Sequence, residues 1–558
     1  MDVLKYNRGT KRKYSGDQDA QGSPDDVTLA HPSISPVPAH TALQSADIDG
    51  DGNDESYNSA GAEEKHDACQ ASRISASTVA ARDDEYYRTL YSRELDFQAL
   101  GEQDRELASL LQGGSRLDFA NPLAVMQLTK TLLRLHFGLR VDLPLDRLCP
   151  PVPNRHNYIL WLKDLLDSSS PSYSQIHEPE RAVEGLDIGT GASLIYPLLA
   201  CAQRPAWTFI ATDVDAKSIA YARRNAELNS LQSRIRVVGR DIAAPLVPLN
   251  DLNIETIDFV MVNPPFYASE SELLDLARQK SRPPHSACTG APIEMVCKGG
   301  EVGFIRRIID ESLILRRRVQ WYTAMLGKRS SLDVLVGLLK ENGIDNYAMK
   351  TFVQGNKTRR WALGWSFHSR RPSVRASRGV ELATTKNILP FPTELTVLRK
   401  SVSCGIDPEQ LERTLRTTME TLDLVLWNWD ALLSRGVGFA DGDVWSRAYR
   451  RRKERQNHMT TAPPHGDEAP IDKAKTSPDL STHQKLHGVA DCAFGFALSI
   501  RVEHGSRGTT DEVTLAVRWL QGHDYLLFES FTGMLRSAIL RTVRALGENE
   551  KVSCPRPG

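Results

Sequence analysis

The tetrapeptide Asn263-Pro264-Pro265-Phe266 follows directly on the apolar run Phe259-Val260-Met261-Val262. Each proline fixes φ and restricts the residue before it, so the pattern reads as a buried strand entering a stiff turn. The amide oxygen of Asn263 and the carbonyl of Pro264 can accept the two hydrogens of an sp² amine, while Phe266 offers a ring face to the heterocycle that carries it. A proline turn that merely closes a strand needs the same residues, so a second site must decide between the two readings.

That second site lies upstream, where Ala182 to Ile188 leads into Gly189-Thr190-Gly191-Ala192-Ser193 and then into the apolar stretch Leu194 to Ala202. Strand, glycine turn and helix in this order let the backbone approach a ligand and aim amide donors at it. Trp207 to Thr212 reads as a second strand, and Asp213 follows about 20 residues past the loop, where nucleotide-binding folds place an acid for ribose hydroxyls. A helix over Ala216 to Asn229 and a third strand over Arg234 to Val238, ending near Asp241, continue the alternation of a doubly wound α/β sheet. Leu194 stands where a dinucleotide fingerprint has its third glycine, and no lysine closes a Walker-type loop, which disfavours NAD and ATP.

Asp187 before the glycine turn, Asp213, and Asn-Pro-Pro-Phe after a fourth strand together resemble class I S-adenosylmethionine-dependent methyltransferases. In that superfamily the Asn-Pro-Pro-aromatic turn serves adenine N6, guanine N2 and glutamine amides, so the turn leaves the substrate open. The stretch from about Leu117 to Phe367 is similar to a narrower family, the RNA adenine-N6 methyltransferases that modify U6 small nuclear RNA and, in bacteria, a 23S ribosomal adenosine. Six blocks carry the likeness: Leu117 to Pro122, Val152 to Ile159, Leu186 to Ser193, Val262 to Phe266, Met325-Leu326-Gly327-Lys328, and Arg360 to Phe367. The resemblance implies S-adenosyl-L-methionine as cofactor, with Arg155 on its carboxylate, Gly189, Thr190, Gly191 and Ser193 around its amino-acid end, Asp213 on its ribose and Asp241 near its adenine, and Asp187 among the cofactor-binding residues. It implies structured RNA as partner, U6 small nuclear RNA first and messenger RNA hairpins second. Eukaryotic relatives carry a lysine-bearing loop after the third strand, whereas Gly239 to Ala243 holds one basic residue, Arg240, which puts gating by that loop in doubt. A guanine-N2 or protein-glutamine methyltransferase and a non-catalytic RNA-binding scaffold are the alternatives.

The 558 residues, 41% hydrophobic and 25% charged, can bury a large core and fill two or three domains. No apolar run approaches the roughly 20 residues of a membrane span, and no secretory h-region opens the chain. Eight cysteines without C-x-x-C spacing argue against a disulfide framework or zinc site and for a reducing compartment; no metal is expected, and His285 with Cys288 reads as a polar loop pair.

The net charge of −1 hides segregation. Residues 1–79 have the composition of a disordered tail, opening on Lys5, Arg8, Lys11, Arg12 and Lys13, which reads as a nuclear import signal or a solvated terminus. The nucleus is the expected location, with the cytoplasm as the alternative. A methyltransferase domain with an RNA-binding N-terminal extension is expected over 80–369. Within it Tyr267, Arg278, Lys280, Arg282, Lys328 and Arg329 are candidates for RNA stacking and phosphate contact. An Arg/Ser/Pro-rich linker over 370–392 precedes an α+β accessory domain over 393–546, with a flexible insert at 460–487 and a tail at 547–558. In the accessory domain, Pro408 to Leu433 has helical spacing, Ala493 to Val502 and Glu512 to Leu520 alternate like strands, Tyr525 to Phe531 reads as another strand, and Leu535 to Leu546 as a terminal helix. Its aromatic-interleaved basic run Trp445 to Arg455 offers Arg450, Arg451 and Arg452 to RNA; the alternative is that the whole module is a stabilising appendage.

Overall fold

Short apolar runs alternating with helical segments must bury both faces of each strand, and they do so in a twisted sheet with helices on either side. The computed structural model describes residues 82–174, 176–272, 290–354, 358–380, 387–401, 407–460, 488–503 and 511–552, all within one compact unit, Val79–Gly558. The expected N-terminal tail with its basic cluster, Arg278, Lys280, Arg282, His285, Cys288 and nearly all of the 460–487 insert lie outside the described residues.

The strands of the first sheet are β1 (Val183–Ile188), β2 (Trp207–Asp213), β3 (Ile235–Gly239), β4 (Ile257–Val262), β5 (Val319–Leu326), β6 (Tyr347–Gln354), β7 (Thr358–Trp365) and the two-residue β8 (Arg378–Gly379). They lie in the order β8-β6-β7-β5-β4-β1-β2-β3, parallel except for β7, which runs antiparallel to both neighbours. This is the class I methyltransferase arrangement. Successive residues of β4 feed different cores: Phe259 and Met261 pack with the helix Val152–Ser168, Val260 and Val262 with the helices Gly300–Leu315 and Arg329–Glu341. That double burial is why the run before Asn263 is apolar at every position. The order of strands reverses between β1 and β4, and the crevice at their carboxyl ends is where such sheets bind ligands.

The second sheet is antiparallel throughout, in the order β9-β13-β12-β11-β10, from β9 (Glu394–Ser401), β10 (Leu426–Asp430), β11 (Arg435–Ala440), β12 (Phe494–Glu503) and β13 (Glu512–Gln521). Two expectations fail here. The residues Tyr525 to Phe531 are not a strand; they begin the long helix Tyr525–Val552. Asp524 accepts from the backbone N–H of Leu526 at 2.8 Å, and Phe528, Phe531, Leu535 and Ile539 recur at helical spacing to cover the sheet. The helix expected over Pro408 to Leu433 stops at Glu420, where Leu411, Leu415 and Met419 end the four-residue period and Trp427, Trp429 begin a two-residue one in β10.

The stretch expected as a linker is, in its described residues, a packed seam. Arg371 is 2% exposed; its backbone N–H donates to the Leu520 carbonyl at 2.8 Å and its Nε to the Gly522 carbonyl at 2.8 Å. Its guanidinium pairs with Asp345 at 3.0 Å and lies 4.1 Å from the Trp519 ring centroid. Arg518 donates to the Ser168 carbonyl at 2.6 Å, and the Tyr173 hydroxyl donates to Gln521 Oε1. The two sheets therefore meet through buried polar contacts rather than a free tether.

Candidate active site

The glycine turn is built by the left-handed backbone that only glycine adopts cheaply: Gly189 has φ +70° and Gly191 φ +66°. The amides of Gly189 and Thr190 donate to the Thr212 carbonyl at 2.9 and 3.0 Å, tying the turn to the end of β2. Leu194, at the start of the helix Ile195–Gln203, also takes a positive φ, +53°, and is fully buried. The position still demands a left-handed residue, and core packing holds a leucine there against its strain.

Asp213 sits beside this turn. Its Oδ2 accepts from the Gly191 amide at 2.8 Å and its Oδ1 from the Asp215 amide at 2.9 Å. Burial raises its pKa, opposed by those amide bonds. Each oxygen keeps a lone pair for a further donor. Asp187 lies behind the turn, fully buried and outside the cavity lining; burial pushes its carboxyl up to about 7, with the charge of Asp213 adding to the rise.

A cavity of about 700 Å³ collects the pieces. Arg155, Gly189, Thr190, Gly191, Ser193, Asp213, Asp241, Asn263, Pro264 and Pro265 all line it. Arg155 comes from the helix Val152–Ser168; it is buried, donates to Met325 Sδ at 3.2 Å, stands 5.6 Å from the Tyr196 ring centroid, and has no carboxylate partner among the described residues. Asp241 is exposed at the rim, accepting from the Ala243 amide at 2.8 Å, beside Ile242, whose side chain is 70% exposed.

Asn263 Oδ1, a buried acceptor on the cavity wall, has no partner. Buried polar groups are nearly always satisfied, so it calls for a polar ligand. An unpaired guanidinium for a carboxylate, an acid for ribose hydroxyls and open space over Gly189 for close backbone approach fit S-adenosylmethionine along the cavity. Among the described residues no cluster of His, Cys, Asp or Glu could hold a metal.

At the acceptor turn, Phe266 lies just beyond the lining. A Cβ on Gly327 would stand 2.9 Å from Phe266 Cδ1, so a glycine at the end of β5 makes room for the ring. The Arg360 guanidinium, from β7, lies 5.7 Å from its centroid. Glu301, buried, accepts from the amides of Gly327 at 2.6 Å and Lys328 at 3.0 Å and so fixes that end of the strand. Tyr267 is half-buried, and its backbone bonds to Met295 and Cys297 bind the turn to the segment that follows.

Sequence reasoning missed Glu294 and Glu301, and it gave no role to Gly327 and Arg360, which stand in two of the blocks that carry the resemblance. Glu294 lines the cavity, and its Oε2 accepts from the amides of Ala291 at 2.8 Å and Leu148 at 3.0 Å, joining two distant segments over the glycine turn; burial raises its pKa. A signal was present: Ala291-Pro292-Ile293-Glu294 has the proline and glutamate of a helix start.

The described basic candidates are not gathered in one place. Lys328 Nζ pairs with Glu272 at 2.7 Å, and Arg329 pairs with Asp333 at 3.0 Å one turn along its helix. Arg450, Arg451 and Arg452 are exposed on the helix Arg447–Thr460, anchored where the Tyr449 hydroxyl donates to Asp423 at 2.9 Å.

A family model described as RNA methyltransferase matches residues 80–369, more than half of the chain. The zebrafish (Danio rerio) RNA N(6)-adenosine-methyltransferase mettl16 is 32% identical over 79% of this chain and 93% of its own length. The U6 small nuclear RNA (adenine-(43)-N(6))-methyltransferase of Schizosaccharomyces pombe is 34% identical over 78% and 96%. The N-terminal domain of human METTL16 in complex with SAH is 36% identical, covering 51% of this chain and 99% of that one, with a TM-score of 0.42. With the glycine turn, the acid after β2 and the Asn-Pro-Pro-Phe turn set around one cavity, the chain belongs to the RNA methyltransferase family.

Proposed function

We propose that the chain methylates N6 of an adenosine in structured RNA, with U6 small nuclear RNA as the first substrate to test, as in its fission yeast relative. The observation that carries the reading is Asn263 Oδ1, a buried acceptor without a partner, next to the Pro264 carbonyl on the cavity that also holds Arg155 and Asp213. Bound S-adenosyl-L-methionine supplies an activated methyl group. Arg155 holds the cofactor carboxylate, Asp213 its ribose hydroxyls, and the glycine turn its amino-acid end.

Asn263 and Pro264 accept the two amine hydrogens of an adenine taken out of its stack, which orients the nitrogen toward the methyl. Phe266 stacks on the base, returning roughly 1–3 kcal/mol of the unstacking cost. No side chain is needed as a strong base, since the amine loses its proton readily after transfer; position supplies most of the acceleration.

Incubation of the purified chain with labelled S-adenosylmethionine and total small RNA, followed by nucleoside analysis, tests this. Labelled N6-methyladenosine is expected. Label in N2-methylguanosine or in protein glutamine would replace the reading, and no label despite cofactor binding would leave an RNA-binding scaffold. A nuclear address rests on the basic cluster Lys5 to Lys13; its alanine variant, tagged and imaged, should lose nuclear retention.

A further inference from the structure

The run Arg316-Arg317-Arg318 takes no part in the site above. It forms a tight turn that enters β5, at the edge of the first sheet opposite the carboxyl ends where the cofactor cavity opens. Because β7 is antiparallel, its end, Ser366-Phe367, returns to this same edge, and Gly343-Ile344-Asp345 arrives there before β6. From the accessory domain comes His523, in the turn after β13. Together they line a cleft of about 360 Å³, in the size range of small-molecule sites.

Its chemistry is cationic and unmatched. Arg316 and Arg317 are exposed, and neither makes an ion pair with an acid among the described residues. Asp345 is the acid of the cleft, and Arg371 already holds its carboxylate at 3.0 Å. The Arg316 guanidinium lies 5.3 Å from the Phe367 ring centroid, and Arg317 Nε donates to the Phe367 carbonyl at 3.4 Å. The Arg316 backbone is held at φ +45° and ψ −116°, a conformation a non-glycine residue rarely adopts, with its carbonyl accepting from the Tyr322 hydroxyl at 3.2 Å. Strain, two guanidinium groups and a ring on one concave seam are the elements of a nucleotide site: forked donors for phosphate, a flat apolar face for a base.

We propose that this seam cleft binds a nucleotide phosphate through Arg316 and Arg317, with the attached base against Phe367 and His523. Resting on the function proposed above, the first source is the RNA substrate itself, gripped by both domains roughly 20–25 Å from the acceptor turn, the length of β5 at about 3.3 Å per residue. A free nucleotide is the second source.

Full-length chain carrying Arg316→Glu and Arg317→Glu is compared with wild type, with Arg316→Lys and Arg317→Lys, and with Arg223→Glu and Arg224→Glu, an equal charge change on exposed positions of the helix Ala216–Leu228. RNA affinity is measured across salt concentrations, with KM and kcat for methyl transfer and melting with uridine 5′-monophosphate. For an RNA source, the reversed pair lowers the salt slope by about 1.5 and raises the KM for RNA about tenfold, with kcat and cofactor affinity unchanged; the lysine pair retains most of the slope and the Arg223/Arg224 pair all of it. For a free-nucleotide source, RNA affinity is equal in all variants, and the monophosphate raises the melting temperature of wild type but not of the reversed pair. Equal RNA binding together with equal response to the monophosphate overturns the proposal. Failure of the functional reading is separately visible, as wild-type chain that binds RNA and cofactor but transfers no methyl.

Discussion

The cofactor cavity and the surface that carries the candidate RNA contacts Lys328 and Arg329 solve opposite problems. Around the cofactor cavity a charge and an acceptor are buried and left unpaired: Arg155 faces no carboxylate among the described residues, and Asn263 keeps an unsatisfied oxygen. Two of the basic residues offered for RNA contact, Lys328 and Arg329, are by contrast already paired, with Glu272 and Asp333. A small ligand met many times in the same pose rewards a site whose cost of organisation is met on folding. A polyanion rewards cations that are kept soluble and exchange one carboxylate for a phosphate, since their strength comes from counterion release.

Removing the unpaired acceptor is the hardest test of that contrast. Asn263→Ala should lower kcat by about 10²–10³-fold, the effect of losing one preorganised polar contact, while calorimetry finds cofactor affinity unchanged. A parallel loss of cofactor binding would mean that Asn263 belongs to the cofactor side after all.

Arg155→Met should weaken S-adenosylhomocysteine by about 10²-fold, since a charge-assisted bidentate pair is lost. A cofactor analogue without the carboxylate should lose almost nothing on the same substitution. Equal losses for both ligands would assign Arg155 to packing.

Asp187 tests the cost of burying a carboxyl behind the glycine turn. With its folded carboxyl holding a proton up to about 7, the folded chain binds more protons than the unfolded one above the ordinary carboxylate range of about 4. Stability of the cofactor-free chain should therefore fall as pH rises from about 4 to about 7 and level off above. Asp187→Asn should flatten this decline in a series of melting curves; an unchanged slope would place its origin elsewhere.

The smallest effects belong to the RNA side. Lys328→Ala should weaken RNA about two- to threefold at moderate salt and reduce the salt slope by about 0.7–0.9. Glu272→Gln releases Lys328 and should tighten RNA by a similar factor in the same titration. If neither moves, the lysine serves the loop and not the RNA.

What the sequence made legible was local. The strands β1 to β4 and the helices between them could be read because apolar runs, glycine and proline punctuation and helical periods coincide there. The left-handed Gly189 and Gly191 and the stiff turn at Asn263 follow from residue type alone. Glu294 was hidden because its partner Leu148 lies 146 positions away. Arg360 reaches Phe266 only because β7 runs back beside β5, a pairing no local pattern announces. Tyr525 to Phe531 misled because a short aromatic-aliphatic run fits a strand or a buried helix equally, and the aspartate cap before it decided. Leu194 shows the converse case, a backbone requirement met by packing where sequence rules expect glycine.

The seam between the two sheets has a consequence for how the chain can change over generations. Arg371, Arg518, Tyr173 and Gln521 bond across it to carbonyls and side chains of the other half. A substitution on one side strands a buried polar atom on the other, so the halves are expected to drift together at these positions. A freely tethered module could be swapped or lost without injury to its neighbour; here an ancestor that shed the accessory half would first have had to resurface the Ser168 and Tyr173 wall of the catalytic one.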